Sequence, residues 1–417
     1  MLKKYFVLFC FTLPVYMKTV AQNVSSPYSI LGIGDIDNND YGRYSASGSA
    51  TVSRRDADSY NFSNPASLTA IPYKTLNFDF GFRGKVSKFK LVGADTLSSP
   101  SKDFIIKRVS LAFKVTKKTG IAFGLKPFSS VNFQYTADAS LSDGNADYLK
   151  YTEGSGGINQ VYFSIGREIK SRLSVGATAS WLFGSLQNSI EYYNPQLALD
   201  ITRKTANFYN SAGLQGGLQY YTKPNKTWQH IFGLTATAYT SLQGEQTTDY
   251  EEAGVNIKTL AAEKIKFEMP VSVIAGYSIT NKHGSSFHLQ GDYHNWGTKK
   301  LNYTNTYIKD AYGLHAGFEY SSKASTSKFT YEKYHLAIGA RFESSYLVLG
   351  NDHLDDYAIT LGGGKNLSRF ISLNAGFEIG QRGSSSLNQI QENYYQFNIG
   401  LTLKDIWFGT KRFGRFR

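Results

Sequence analysis

Histidine and carboxylate are the residue types in this 417-residue chain best suited to chemistry, and four of the seven histidines fall close to acidic residues. His288, His294, His315 and His335, with Asp292 and Glu319, offer the imidazole and carboxylate groups that hold transition metals or pass protons. A period of two puts all of them on the polar face of three successive extended segments. Two readings follow: a metal or proton-relay cluster, or polar side chains that pair with one another inside a filled interior. The second is the expectation, with His288, Asp292, His315, Glu319 and His335 as the candidate polar cluster and no metal or cofactor. No Gly-rich phosphate loop, GxSxG elbow, HExxH or EF-hand pattern occurs. No nucleophile–base pair stands out, so the chain is not expected to be an enzyme.

The elements that must position these residues are strands. Charged residues make up only 18% of the chain and aromatics 15%. Disorder is excluded, because disordered chains are charge-rich and aromatic-poor. Gly, Tyr, Ser, Asn and Thr stand where an ordinary α/β enzyme carries Leu, Ala and Glu. Apolar residues alternate with polar or small ones at 76–82, 109–115, 121–125, 161–165, 173–183, 212–220, 232–238, 265–279, 287–293, 312–320, 334–342, 357–361, 371–379 and 395–403. Ile371, Leu373, Ala375, Phe377 and Ile379, for example, interleave with Ser372, Asn374, Gly376, Glu378 and Gly380. Each such stripe is a strand with one apolar and one polar face.

A soluble sandwich or propeller would bury the apolar face, whereas a membrane barrel would turn it to lipid. The longer stripes match the roughly 9–11 residues that cross a bilayer. Aromatics such as Tyr277, Tyr293, Trp296, Tyr320, Tyr334 and Tyr357 mark stripe ends, where interfacial girdles belong. The strand number is even, and charges fall on the alternate face. The expected fold is therefore all-β, a 14-stranded antiparallel transmembrane β-barrel over residues 73–404. Tight joins at Glu168–Ser171, Thr222–Thr227, Asn281–Gly284 and Asn366–Ser368 read as periplasmic turns. Longer polar stretches at Ala137–Gly156, Tyr193–Lys204, Glu245–Glu263, Thr298–Asp310 and Arg382–Glu392 read as outer loops.

Residues 1–21 read as a signal peptide: Lys3 and Lys4, an apolar run from Tyr5 to Tyr16, and a small residue at Ala21. The run is too short for a membrane helix, and no later stretch of ~18 apolar residues occurs. Cys10, the one cysteine, lies within it, so disulfides are excluded for the mature chain. Losing Lys3, Lys4 and Lys18 lowers the formal charge from +13 to +10. Export argues against a nucleic-acid partner. Residues 405–417 form a basic tail, with Lys411, Arg412, Arg415 and Arg417 among Trp407, Phe408, Phe413 and Phe416. It reads as a periplasmic end anchored at the interface, or as a docking site for a partner or anionic headgroups.

Residues 22–72 do not alternate. They are rich in turn formers and small residues, with a few apolar anchors, and read either as a leader or as an N-terminal hatch folded into the barrel. Small residues suit the hatch, because they permit close backbone approach.

Ser26-Pro-Tyr-Ser-Ile-Leu-Gly-Ile-Gly-Asp35 resembles the N-terminal motif of the Bacteroidota branch of FadL-like outer-membrane β-barrel transport proteins. Asp58, followed by Asn64-Pro65-Ala66-Ser67-Leu68, resembles that family's hatch signature. Gly124–Val131, Phe267-Glu-Met-Pro270 with Gly276, and Gly291-Asp-Tyr-His-Asn-Trp296 resemble its strand motifs. Gly376–Gly383, Glu392-Asn-Tyr394 and Leu403–Phe408 are similar to its C-terminal signature. The resemblance implies a hatch motif at Asp58, Asn64, Pro65 and Ala66 in a barrel of a Gram-negative outer membrane. It also implies passive transport of small hydrophobic molecules. Other members of the branch are subunits or shuttles of larger outer-membrane machines, including type 9 secretion. Expected partners are outer-membrane lipids, a small hydrophobic ligand or other outer-membrane proteins, with both chain ends periplasmic.

Overall fold

The computed structural model describes residues 26–37, 39–90, 97–140, 147–194, 199–223, 228–301, 305–325, 330–384 and 390–406. The expected signal peptide and the tail beyond Ile406 lie outside the described residues. Fourteen strands form the wall: β1 (Thr75–Lys90), β2 (Leu97–Lys114), β3 (Thr119–Ser140), β4 (Asp147–Lys170), β5 (Leu173–Asn194), β6 (Leu199–Tyr221), β7 (Trp228–Tyr239), β8 (Val271–Asn281), β9 (Ser285–Asn295), β10 (Ala311–Ser325), β11 (Thr330–Leu349), β12 (Asp352–Asn366), β13 (Ile371–Arg382) and β14 (Gln391–Ile406). Consecutive strands pair antiparallel. β14 then pairs with β1, from Thr75 opposite Ile406 to Lys90 opposite Gln391, and the barrel closes.

Every apolar stripe contributes to this wall, and there its apolar face points outward. Leu214 is 69% exposed, Ile359 61% and Leu336 59%, while inward Ser110, Thr360, Asn398 and Glu378 are buried. So continuous an apolar exterior has no counterpart on water-soluble monomers and fits contact with hydrocarbon.

Two expectations differ in detail. The stripe 265–279 is one run in sequence but two elements in space. Pro270 cannot donate to the ladder and separates Glu263–Phe267 from β8. Glu263–Phe267 pairs instead with Leu242–Gln246, part of a strand (Leu242–Glu252) that pairs with β6. The described residues of the outer stretches 137–156, 193–204 and 245–263 are largely strand, not loop. β3 to β6 run 22, 24, 22 and 23 residues, against 11 for β8 and β9. Outside the bilayer a strand needs no apolar face. Alternation therefore fades beyond Phe183 on β5, while backbone pairing continues to Asn194 opposite Leu199.

The N-terminal segment, residues 26–71, lies against the inward faces of the strands. It starts at the long-loop end, where the Ser26 amide donates to Asn132 (3.3 Å) and its hydroxyl to Glu392 (3.4 Å). It ends at the short-turn end, where Thr75 opens β1. Ser26 and Ile406 thus sit at opposite ends of the barrel. The expected periplasmic location of both termini concerns residues outside the described ones. Tyr28, Leu31 and Ile33 pack with Phe128, Phe133, Leu182 and Tyr346. Nearer the short turns, Tyr60, Leu68 and Ile71 pack with Ala112, Ala122 and Tyr162.

Between these clusters the segment follows the inner wall in reverse strand order, seated on one glycine from each strand of β3–β8 and β10–β14. Gly42 lies on Gly400, Ser45 on Gly376, Ser47 on Gly317, Val52 on Gly276 and Pro65 on Gly176. A Cβ at Gly176 would stand 2.5 Å from the Pro65 carbonyl carbon, and one at Gly400 would stand 2.7 Å from Gly42 Cα. On β9 the seat is Gln290, whose Oε1 accepts the Thr51 and Val52 amides at 2.7 and 2.9 Å.

Candidate functional site in the barrel lumen

The residues Asp58, Asn64, Pro65 and Ala66 act at one end of this belt. Asn64 caps the short helical turn Pro65–Ala70, accepting from the Ala66 amide at 3.1 Å. Its amide donates to the Val52 carbonyl at 2.9 Å and to the Leu218 carbonyl of β6 at 3.1 Å. The side chain thereby ties the segment to itself and to the wall. Pro65 fits the first position of a helical turn because its missing N–H is unneeded there. Ala66 is fully buried, and its backbone N lies where a Cβ added at Gly176 would come within 2.6 Å. Asp58 accepts from Lys404 of β14 at 2.8 Å.

The candidate polar residues all face inward, as expected, but they do not form one cluster. Glu319 takes Arg43 on one oxygen and Arg54 on the other, both at 2.7 Å. Arg43 also donates to Glu332 at 2.6 and 2.8 Å, and His335 Nδ1 lies 3.0 Å from Glu332. His315 sits between Asp292 (3.1 Å) and the Gly48 carbonyl (2.8 Å). His288 meets the Ser278 hydroxyl at 2.7 Å, and His294 meets Ser272 at 2.6 Å. Glu319, Glu332 and His335 thus gather on Arg43 of the N-terminal segment, while His315, His288 and His294 have separate partners. Among the described residues no group of three His, Cys, Asp or Glu is arranged to hold a metal ion.

Sequence reasoning missed the cations on the other side. Lys107 and Arg108 are adjacent, yet both are buried. A bulge explains this: Gly81 faces Arg108 while Phe82 faces Ile106, so Lys107 is the extra residue and turns inward as well. Arg108 binds Asp79 of β1 at 2.7 Å and Asp40 of the segment at 3.1 Å. Lys107 pairs with Asp37, which also accepts from Tyr41. Burial disfavours the charged form of Asp37, but Lys107 and Arg83 outweigh it and hold its carboxyl below the usual range. Two consecutive charges inside an alternating strand were the available signal.

The bulge also marks a seam. β2 and β3 pair only from Val109 opposite Leu125 to Lys114 opposite Gly120. Above that point Asp35 and Ile36 pair with Ser130 and Ser129 of β3, and the Asp37 amide donates to Phe128 at 2.9 Å. The N-terminal segment thus bridges the opening, attached to β3 by backbone and to β2 through Lys107. Behind it lies a cavity of about 270 Å³. Its walls combine charges of both signs, such as Asp37, Arg83, Lys107 and Glu343, with apolar and aromatic side chains, such as Phe62, Phe128, Ile274 and Trp296. Lys126 stands over the Phe62 ring at 4.3 Å.

This geometry has relatives. A sequence model of the BamG family matches residues 1–414. No curated protein matches the sequence. Among solved structures, a FadL homologue of Pseudomonas aeruginosa is 12% identical with a TM-score of 0.57, over 90% of this chain and 100% of its own. The toluene transporter TodX of Pseudomonas putida is 15% identical (TM-score 0.55, 89% and 99%). The toluene transporter TbuX of Ralstonia pickettii is 13% identical (TM-score 0.57, 88% and 98%). At such identities the likeness concerns the fold, that of a FadL-like outer-membrane barrel.

Proposed function

We propose that this chain, which belongs to the BamG family, is a non-catalytic, non-transporting barrel subunit of a multiprotein outer-membrane assembly. The observation that carries this reading is the way the lumen is filled. The N-terminal segment sits on a belt of glycines and is tied to the wall by buried ion pairs at Glu319, Glu332 and Arg108. Leaving one member of such a pair buried without the other costs about 3–5 kcal/mol. A route for a greasy molecule would require several to part. Lipids of the outer membrane cover the apolar exterior. Mild-detergent extraction from native membranes, followed by tagged purification, tests the reading. A stoichiometric outer-membrane protein partner is expected, and isolation only as a lone barrel would refute it.

A second reading, passive transport of a small hydrophobic ligand, is favoured by the β2–β3 seam, where displacement of Asp35–Ile36 would open the wall. TodX and TbuX, toluene transporters that share the fold, lend it support. Ile36→Cys with Ser129→Cys would close the seam with a disulfide in a mature chain that has no other cysteine. A transporter loses uptake of lipophilic probes when that bond forms and regains it on reduction. A structural subunit keeps its partners in both states.

A further inference from the structure

The short-turn end of the barrel is strongly basic. Lys117 and Lys118 lie in the β2–β3 turn, Lys170 at the end of β4 and Lys223 after β6. All four are exposed, and none has an ion-pair partner among the described residues. The charge continues inside the mouth. Arg55 of the N-terminal segment donates to Thr69 (2.9 Å) and Gln219 (3.1 Å), and Lys114 donates to the Thr69 carbonyl (2.8 Å). Carboxylates here are few: Glu168 is half-buried, Asp58 is already engaged by Lys404 at 2.8 Å, and Asp405 is exposed at the end of β14. The opposite end is mixed in charge: exposed Lys88, Lys258 and Lys264 stand among exposed Glu153, Glu252 and Glu263, and Lys204 and Lys299 pair with Glu251 and Glu268.

We propose that this plate of positive charge docks an acidic, water-soluble protein domain that caps the short-turn mouth. The proposal rests on the subunit reading and names the chemistry of one partner. With short turns periplasmic, as in such barrels, the partner is periplasmic. Lipid headgroups ring the outside of a barrel but do not reach Arg55 and Lys114 inside the mouth. An acidic domain lying across it meets both rim and mouth. Complementary charge of this kind speeds encounter and selects the partner.

The test uses the full chain, tagged and purified from native membranes, with a photo-crosslinking side chain at Ser171 or, as control, at Tyr192 in the far wall. The wild type is expected to crosslink an acidic soluble protein from position 171 and not from 192. Raising salt from about 50 to about 500 mM should release that protein. The variant Lys117→Glu/Lys118→Glu/Lys170→Glu/Lys223→Glu should lose it about tenfold or more. It should also keep its membrane-embedded partner, which shows that the barrel is folded. Retention of the soluble protein by that variant overturns the proposal, as does a membrane partner purified with no soluble protein at position 171. Loss of bound phosphatidylglycerol from the variant in native mass spectrometry, with no protein crosslink in the wild type, assigns the plate to lipid and also overturns it. Absence of any partner at all refutes the subunit reading itself.

Discussion

Arg43 and Glu319 meet at 2.7 Å in the lumen, their side chains only 5% and 4% exposed, and the second Glu319 oxygen holds Arg54 at the same distance. One carboxylate of β10 thus bridges two guanidinium groups from a segment more than 260 residues earlier in the chain. Arg43 has a second close carboxylate in Glu332, at 2.6 Å, whereas the next carboxylate for Arg54, Asp56, lies 3.7 Å away.

Glu319→Gln is therefore expected to loosen the N-terminal segment more than any surface change. Leaving buried charge uncompensated costs about 3–5 kcal/mol. Ser53→Cys, placed in the belt, provides the readout: its thiol should react with maleimide at lower urea in the Glu319→Gln background. The account fails if reactivity is unchanged.

The glycine belt yields a paired comparison. Gly176→Val drives a side chain into the Pro65 backbone and is expected to displace the segment. Gly216→Val, where an added Cβ meets nothing within 4 Å, should be close to neutral. Overpacking of this kind costs about 1–3 kcal/mol. Equal shifts in thermal unfolding for the two variants would contradict the belt.

Asp37 gives a pH signature. Its carboxyl is held below the usual range despite burial, through Lys107 and Arg83, and the neighbouring Tyr41 hydroxyl also donates to it. A depressed pKa adds stability that is complete above the ordinary carboxylate range and is lost as pH falls through the native value. Asp37→Asn should melt below the wild type at neutral pH, and the gap should narrow with acidification. A gap that stays constant from about pH 7 to about pH 3 would assign the loss to packing rather than charge.

Separate partners for the histidines carry a last expectation. Adding Zn²⁺ should leave the melting temperature unchanged, because ion binding raises stability only where the folded chain offers a site. His315→Gln should leave that null response intact. A zinc-dependent rise abolished by His315→Gln would restore the cluster that the geometry divides.

Much of the fold is legible in local sequence. Alternation placed all fourteen strands, and parity put His288, Asp292, His315, Glu319 and His335 on the inward face. A strand's side-chain direction is a property of its own backbone, and lipid demands a continuous apolar stripe wherever the strand crosses it. The strand character of 137–156, 193–204 and 245–263 was hidden because water imposes no such stripe.

What only the tertiary structure decided is who meets whom. Periodicity says that Glu319 points inward but not that Arg43 and Arg54 arrive there. That depends on the path of a non-alternating segment around the wall. Likewise Lys107 turns inward because of a bulge set by its pairing with β1, and the seam exists because β2 and β3 stop pairing above Val109 and Leu125. Local pattern sets the face each residue presents. Contacts between residues hundreds of positions apart arise from closure of the barrel and from the backbone that glycine allows to lie against it.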